Sequence, residues 1–178
     1  MAVGHDERRS RLEALFATHG AAVLAYARRR SDGATAEDVL AEVFVVAWRR
    51  LDQMPADALP WLLSCARRVL ANQRRGERRQ LALLKRLAAV SPRLPAESAA
   101  GPGVGRLADA LKSLSDLDRE VLLLVAWENL SVERAAAVLG CSPNTFSTRL
   151  RRARKRLAST LAGPESPDQA TPTEVARD

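Results

Sequence analysis

Pro92, Pro95, Gly101, Pro102, Gly103 and Gly105 all fall within the fifteen residues 91–105. Proline removes a backbone donor and glycine is costly to order, so such a stretch interrupts helix and strand alike. It divides the 178 residues into an N-terminal unit over 9–90, a flexible linker over 91–105 and a C-terminal unit over 106–162. Units of about ninety and about sixty residues are small enough that each gains from the other. A last stretch, 163–178, is rich in Pro, Ser, Thr and acid. It has too little apolar surface to order itself and reads as a disordered tail.

Both units read as helical, so the fold class is all-α: two small helical domains joined by the linker. No run alternates Val, Ile or Thr between turn residues, which strands would require. Residues 9–30 instead place Leu12, Leu15, Phe16, Val23, Tyr26 and Ala27 at spacings of three, four and seven, the period of a helix with one buried face. Thr35 and Asp38 resemble a capping box opening a second helix that carries Val39, Val43 and Ala47 on one face. A third helix is predicted from about Leu59 to Arg75, followed by a weaker amphipathic stretch, QLALLKRLAAV. In the C-terminal unit, Ser115 precedes LDREVLLLVAW, Asn129 ends that helix, and Ser131 caps VERAAAVL. Gly140 closes this short helix, and Ser142-Pro143 opens a last one, with proline in the first-turn slot it favours.

Short helix, turn and longer basic helix make a helix-turn-helix pattern. Phe146, Leu150, Ala153 and Leu157 form the inward stripe of the last helix. Asn144, Ser147, Thr148, Arg151, Arg152 and Lys155 then face outward. Six basic residues lie between 149 and 156 with no acid among them. A merely solvated helix face usually mixes signs for its own stability, so this one points to DNA. A second basic cluster lies on the third helix: Arg67, Arg68, Arg74, Arg75, Arg78 and Arg79 surround one acid, Glu77. Trp61 at its start is either a core anchor or a platform for an unpaired base. The second helix has the opposite character. Asp38 and Glu42, four apart, form either an ordinary solvated face or a patch for a basic partner.

The charge balance supports a polyanionic partner. Lys plus Arg is 28 against 21 Asp plus Glu, a net +7, which favours nucleic acid over a membrane surface. Two cysteines, Cys65 and Cys141, exclude a disulfide framework and suit a reducing cytoplasm. MAVGHDERRSRLEALF lacks the apolar core of a signal peptide. No apolar run approaches the ~18 residues of a membrane span. Catalysis finds no support. His5 and His19 stand apart from any metal-ligand spacing, no glycine-rich phosphate loop is present, and neither cysteine lies in a nucleophile motif. No catalytic residue, metal site or cofactor is expected.

Three blocks carry a family resemblance: AEDVLAEVFVVAWRRL (36–51), WLLSCARRVLANQRRGERR (61–79) and LSDLDREVLLLVAWENLSVERAAAVLGCSPNTFSTRLRRARKRLASTL (114–161). Together with their spacing they resemble the extracytoplasmic-function sigma factors of the sigma-70 family. These are small bacterial factors that bind core RNA polymerase and direct it to promoters. The resemblance covers about residues 9–162. It implies sigma region 2 in the N-terminal unit and sigma region 4 in the C-terminal unit. Asp38, Glu42 and Trp48 would dock on the polymerase clamp helices. Trp61, Arg67, Arg68, Asn72, Arg74 and Arg75, with the loop from about Asp52 to Leu59, would open and hold the −10 element. Asn144, Ser147, Thr148, Arg151, Arg152 and Lys155 would read the −35 element, and region 4 would also hold the polymerase flap. An anti-sigma factor is a further partner the resemblance suggests. The chain departs from the family pattern at Ala41, where Gln is frequent, and at Arg68 in place of Asn. It also has Ala135-Ala136 for Ile-Ala, and Ser147 where a basic residue is common. The alternative is a stand-alone helix-turn-helix regulator, which would bind intact duplex as a dimer and would need neither the acidic helix nor the arginines of the third.

Overall fold

A computed structural model of the chain describes residues 2–87 and 102–162. Among them are seven α-helices, one short 3-10 turn and no strand. The N-terminal unit comprises α1 (Ala2–Arg28), α2 (Gly33–Arg49), the turn Leu51–Gln53 and α3 (Ala58–Leu87). The C-terminal unit comprises α4 (Pro102–Ser113), α5 (Asp116–Ala126), α6 (Val132–Leu139) and α7 (Pro143–Ala162). The tail and most of the linker lie outside the described residues.

In the N-terminal unit the three helices pack mutually around Val23, Tyr26 and Ala27 of α1, Val39, Val43 and Ala47 of α2, and Leu62, Leu63 and Ala66 of α3. The stripes recur every three or four residues, as a single buried helix face demands. A buried leucine-sized side chain contributes ~1.5–3 kcal/mol over leaving it in water. Phe16, read from its spacing as part of the inward stripe, is instead half exposed. It rests edge-on against Phe44, with ring centroids 4.9 Å apart.

Three boundaries differ from the sequence reading. The cap of α2 is Asp32, whose carboxylate accepts from the Thr35 backbone N–H at 2.8 Å. Thr35 therefore sits inside the helix, because Asp32 also meets the N-cap requirement and Gly33 and Ala34 can extend the helix back to it. Helix α3 does not stop near Arg75 but runs to Leu87. Gly76 costs a helix interior only ~1 kcal/mol, and the long run of Arg, Glu, Gln, Leu and Ala around it favours continuation. Residues 102–105, read as the end of the linker, form the first turn of α4, where Pro102 needs no backbone donor.

The punctuation of the C-terminal unit follows the expected residues. Ser115 accepts from Asp118 N–H at 3.2 Å, Ser131 from Arg134 N–H at 3.3 Å, and Ser142 from Thr145 N–H at 3.2 Å. Asn129 adopts φ +49° beyond the end of α5, a left-handed conformation that asparagine tolerates better than most residues. Gly140 has φ +66°. Its N–H donates to Ala137 at 3.2 Å while Cys141 donates to Ala136 at 3.1 Å, the paired bonds of a Schellman ending. This turn sets α6 against α7, and Phe146, Leu150 and Ala153 fill the space between with Ala135, Ala136 and Val138. One apolar cluster runs through both units, and α3 packs directly on α6.

Phe146 is fully buried, so Phe146→Ala will lower stability to urea by about 3–5 kcal/mol through lost transfer energy and the cavity left behind. Gly140→Ala will cost a smaller ~1–2 kcal/mol, because alanine has to hold the left-handed turn. Equilibrium unfolding followed by circular dichroism reads both.

Candidate nucleic-acid interface

Helix α7 presents its outer face as the spacing predicts. Asn144, Ser147, Arg151, Arg152 and Lys155 are exposed and Thr148 is partly so. These positions share one exposed, polar and basic side of the helix, opposite the buried stripe of Phe146, Leu150 and Ala153. The basic run is less uniform than it reads. Arg156 turns back to bond Asp118 of α5, whose carboxylate is largely buried. Sequence alone does not reveal this, since the acid lies 38 residues earlier. Arg152, Lys155 and Arg156 line a cleft of about 620 Å³ against Ser113, Ser115 and Asp118.

Helix α3 splits its arginines between two flanks. Trp61, Arg68 and Asn72 share one side, where with Glu42, Arg50 and Cys65 they line a cleft of about 200 Å³ between α2 and α3. Arg75 joins them by donating to Asn72 Oδ1. Trp61 is half buried and packs against the core, so it is an anchor that also leaves one edge in the cleft. Burial raises the pKa of the Cys65 thiol, which keeps it protonated and suits a packing role. Arg67 and Arg74, seven residues apart and thus two turns along one line, occupy the other flank. They line a narrow cleft of about 110 Å³ with Tyr26, Arg30, Asp116 and Glu120. The six residues grouped by sequence therefore do not form one surface.

On α2, Asp38 and Glu42 are exposed, as is Val45, half of whose surface meets solvent. Val45 lies one turn beyond Glu42 and extends their surface with an apolar element. Its signal in the sequence was an aliphatic side chain on the acidic stripe. Trp48 is not with them. It lies about 120° around the helix from Glu42, and Arg8 and His5 of α1 cover its ring at 5.3 Å and 5.6 Å.

A cluster not grouped in the sequence reading joins the units. Arg30 bonds Glu120 at 2.8 Å and Glu128 at 2.9 Å, and Arg29 also pairs with Glu128. The Arg30 and Glu128 side chains are each only 5% exposed. The Tyr26 hydroxyl donates to Glu120 at 2.7 Å, and Arg30 stacks 3.6 Å from the Tyr26 ring centre. Burial and then the Glu120 charge raise the Tyr26 pKa well above its ordinary value. For Arg30 burial acts downward, but Tyr26, Glu120 and Glu128 outweigh it and the net shift is upward. A second clasp forms where Arg134 of α6 grips Asp57 with two bonds, at 2.6 Å and 2.7 Å. That hydrogen bonding holds the Asp57 pKa below its ordinary value.

An all-helical chain with a basic helix-turn-helix on one unit and a basic helix on the other is a two-part nucleic-acid-binding factor. Comparison with known proteins makes the class specific. Residues 15–80 match the Sigma-70 region 2 family and residues 105–157 match Sigma-70, region 4. The ECF RNA polymerase sigma factor SigL of Mycobacterium tuberculosis is 30% identical over 156 residues, covering 84% of this chain and 88% of SigL. "Probable RNA polymerase sigma factor RfaY" of Xanthomonas campestris pv. campestris is 34% identical over 73% of this chain, which spans only 35% of that protein's length. The sigma factor RpoE of Bartonella quintana, solved in complex with the anti-sigma factor NepR, superposes with a TM-score of 0.64 at 25% identity. That likeness covers 84% of this chain and 96% of RpoE. The chain belongs to the extracytoplasmic-function RNA polymerase sigma factors of the sigma-70 family, and its function is that of a sigma factor directing transcription. No described helix is long and apolar enough to cross a membrane.

Tyr26 is the only tyrosine of the chain, so phenolate absorbance reports on it alone. Its midpoint will lie above pH 10. A raised folded pKa means that folding stability is fully present below the unfolded value of about 10 and falls as pH rises from there toward the folded value. Urea unfolding followed across that window will show the decline.

Proposed function

We propose that this chain acts as a non-enzymatic, cytoplasmic subunit that recruits core RNA polymerase and selects promoters through two separate DNA contacts. Asp38, Glu42 and Val45 on α2 form the polymerase-binding face, where the acids meet a basic partner surface and Val45 supplies apolar contact. Trp48 acts beneath this face by holding α1 against α2. Trp61, Arg68, Asn72 and Arg75, with Arg67 and Arg74 on the other flank of α3, engage the strands of the −10 element. Arginines neutralise phosphates as the strand separates, and the cleft beside Trp61 offers a place for an unstacked base. Asn144, Ser147, Thr148, Arg151, Arg152 and Lys155 on α7 read the −35 element in the major groove. The C-terminal unit also contacts the polymerase flap, and an anti-sigma factor holds the chain in reserve, as NepR accompanies RpoE.

The observation that carries this reading is the pairing of two basic faces with an exposed acidic face in a chain matched by both sigma regions. A stand-alone regulator needs only the first of these three surfaces. Mixing the protein with bacterial core RNA polymerase will give a stable complex on size exclusion, and that complex will initiate at a defined set of sites in a genomic fragment library. Absence of binding to core together with tight duplex binding by the chain alone would return the case to a regulator. Arg152→Ala will weaken promoter binding by ~1–3 kcal/mol with relaxed preference at one position if the guanidinium reads a base. A uniform loss across sequences would assign it to phosphate. Unchanged binding would remove Arg152 from the interface.

A further inference from the structure

Two arginines of α1, which belong to neither basic face, hold the connection between α2 and α3. Arg8 and Arg11 lie three residues apart on one side of α1, and both bond the carboxylate of Asp52. Arg8 also donates to the Trp48 carbonyl at 3.1 Å, and Arg11 to the Leu51 carbonyl at 3.3 Å. The Trp48 carbonyl lies in the last turn of α2, where acceptors lack intrahelical donors and a basic side chain suits them. The grip therefore brackets Arg50, with Trp48 held on one side of it and Leu51 and Asp52 on the other.

Arg50 lines the cleft beside Trp61 together with Arg68 and Asn72. The loop that follows has little packing of its own. Of residues 51–57, only Leu51 is buried and Met54 half-buried. On the α1 side a cleft of about 420 Å³, bordered by Arg11, His19, Met54, Pro55 and Ala56, leaves the middle of the loop without support. Its far end is tied by Arg134 of the other unit, at Asp57. Within the N-terminal unit, then, the ties at Asp52 decide where the loop lies, because a segment with few apolar contacts opens locally at small free-energy cost. We propose that Arg8 and Arg11 are positioning residues: through Asp52 they hold Arg50 and the 51–57 loop in the geometry in which the Trp61 cleft receives an unpaired strand. This rests on the −10 reading above and adds Arg50 to the residues that touch the strand.

The ties act locally. The Asp52 side chain is 60% exposed, and those of Arg8 and Arg11 are 34% and 52% exposed, so water screens each pair and the fold does not depend on them. Two guanidiniums on one carboxylate, each also bonded to a carbonyl, still restrict the turn that leads into the loop. A loop already held in its bound geometry loses less conformational freedom when a strand arrives. Charge separates this role from a direct contact with DNA. Removing the Asp52 charge strengthens the attraction for phosphate, yet it frees the loop, and the two effects on strand binding have opposite signs.

Two variants remove the ties from opposite sides: Asp52→Asn, and Arg8→Gln with Arg11→Gln. A third, Glu13→Gln, removes one negative charge from α1, where Glu13 pairs with the exposed Arg9 and does not touch the loop. Each is used in the full chain, with unchanged helicity by circular dichroism as the folding control. If Asp52→Asn loses helicity, Asp52→Ala replaces it. Loop order is read by NMR relaxation at Gln53 and Met54, whose N–H groups donate to the Arg50 and Leu51 carbonyls. Their order parameters are expected to fall from the rigid range of ~0.85 to below ~0.6 in both loop variants. Strand binding is read by anisotropy of a labelled, mixed-sequence single-stranded DNA. Asp52→Asn is expected to bind it about threefold more weakly than the wild type, as follows if the freed loop holds the competent geometry about a third of the time. Glu13→Gln is expected to bind no more weakly than the wild type, as charge alone dictates. Unchanged order parameters in the folded loop variants would overturn the clamp. Binding by Asp52→Asn as tight as that by Glu13→Gln would overturn the positioning role while leaving the sigma role intact. Failure of core-polymerase binding in the earlier experiment would sink the promoter reading instead, since both loop measurements are made without polymerase.

Discussion

Helix α3 is the element on which both halves of the molecule depend. Its apolar stripe closes the N-terminal core against α1 and α2, and it also packs on α6 of the C-terminal unit. A helix buried along one stripe has two flanks, and here each carries arginines. The stripe positions those flanks rigidly, so the basic side chains are fixed relative to the core and to α2. An exposed acidic stripe on α2 and a basic flank of α3 thus lie side by side and meet at the cleft that Glu42 shares with Arg50 and Arg68.

The net charge of +7 is therefore less informative than its distribution. Arg156 is engaged by Asp118, Arg8 by Asp52, Arg134 by Asp57, and Arg30 by two glutamates. Exposed arginines remain on the outer face of α7 and along α3, where Arg68, Arg74 and Arg75 are all open. Internal acids thus remove several arginines from a broadly basic surface. Glu120 and Glu128 on the C-terminal unit and Asp57 on the N-terminal one pair across the junction, so these three acids also hold the units together.

Local signals were legible in the sequence wherever one residue decides the backbone. Ser115, Ser131, Gly140 and Ser142-Pro143 each satisfy or terminate a helix end by themselves, and each does so in the structure. Asp32 was missed because Thr35 and Asp38 offered a plausible cap three residues later. The continuation of α3 through Gly76 was missed because a glycine's modest penalty was outweighed by the helix formers on both sides. The outward face of α7 followed from its stripe, while the division of the α3 arginines needed the neighbour on each flank. Trp48 was grouped with Glu42 on the strength of resemblance, although helical geometry already set it around the corner. The Tyr26–Arg30–Glu120–Glu128 cluster had no local signal, since Tyr26 and Arg30 lie 90 to 98 residues from the glutamates they bond and only the docking of two units makes them neighbours.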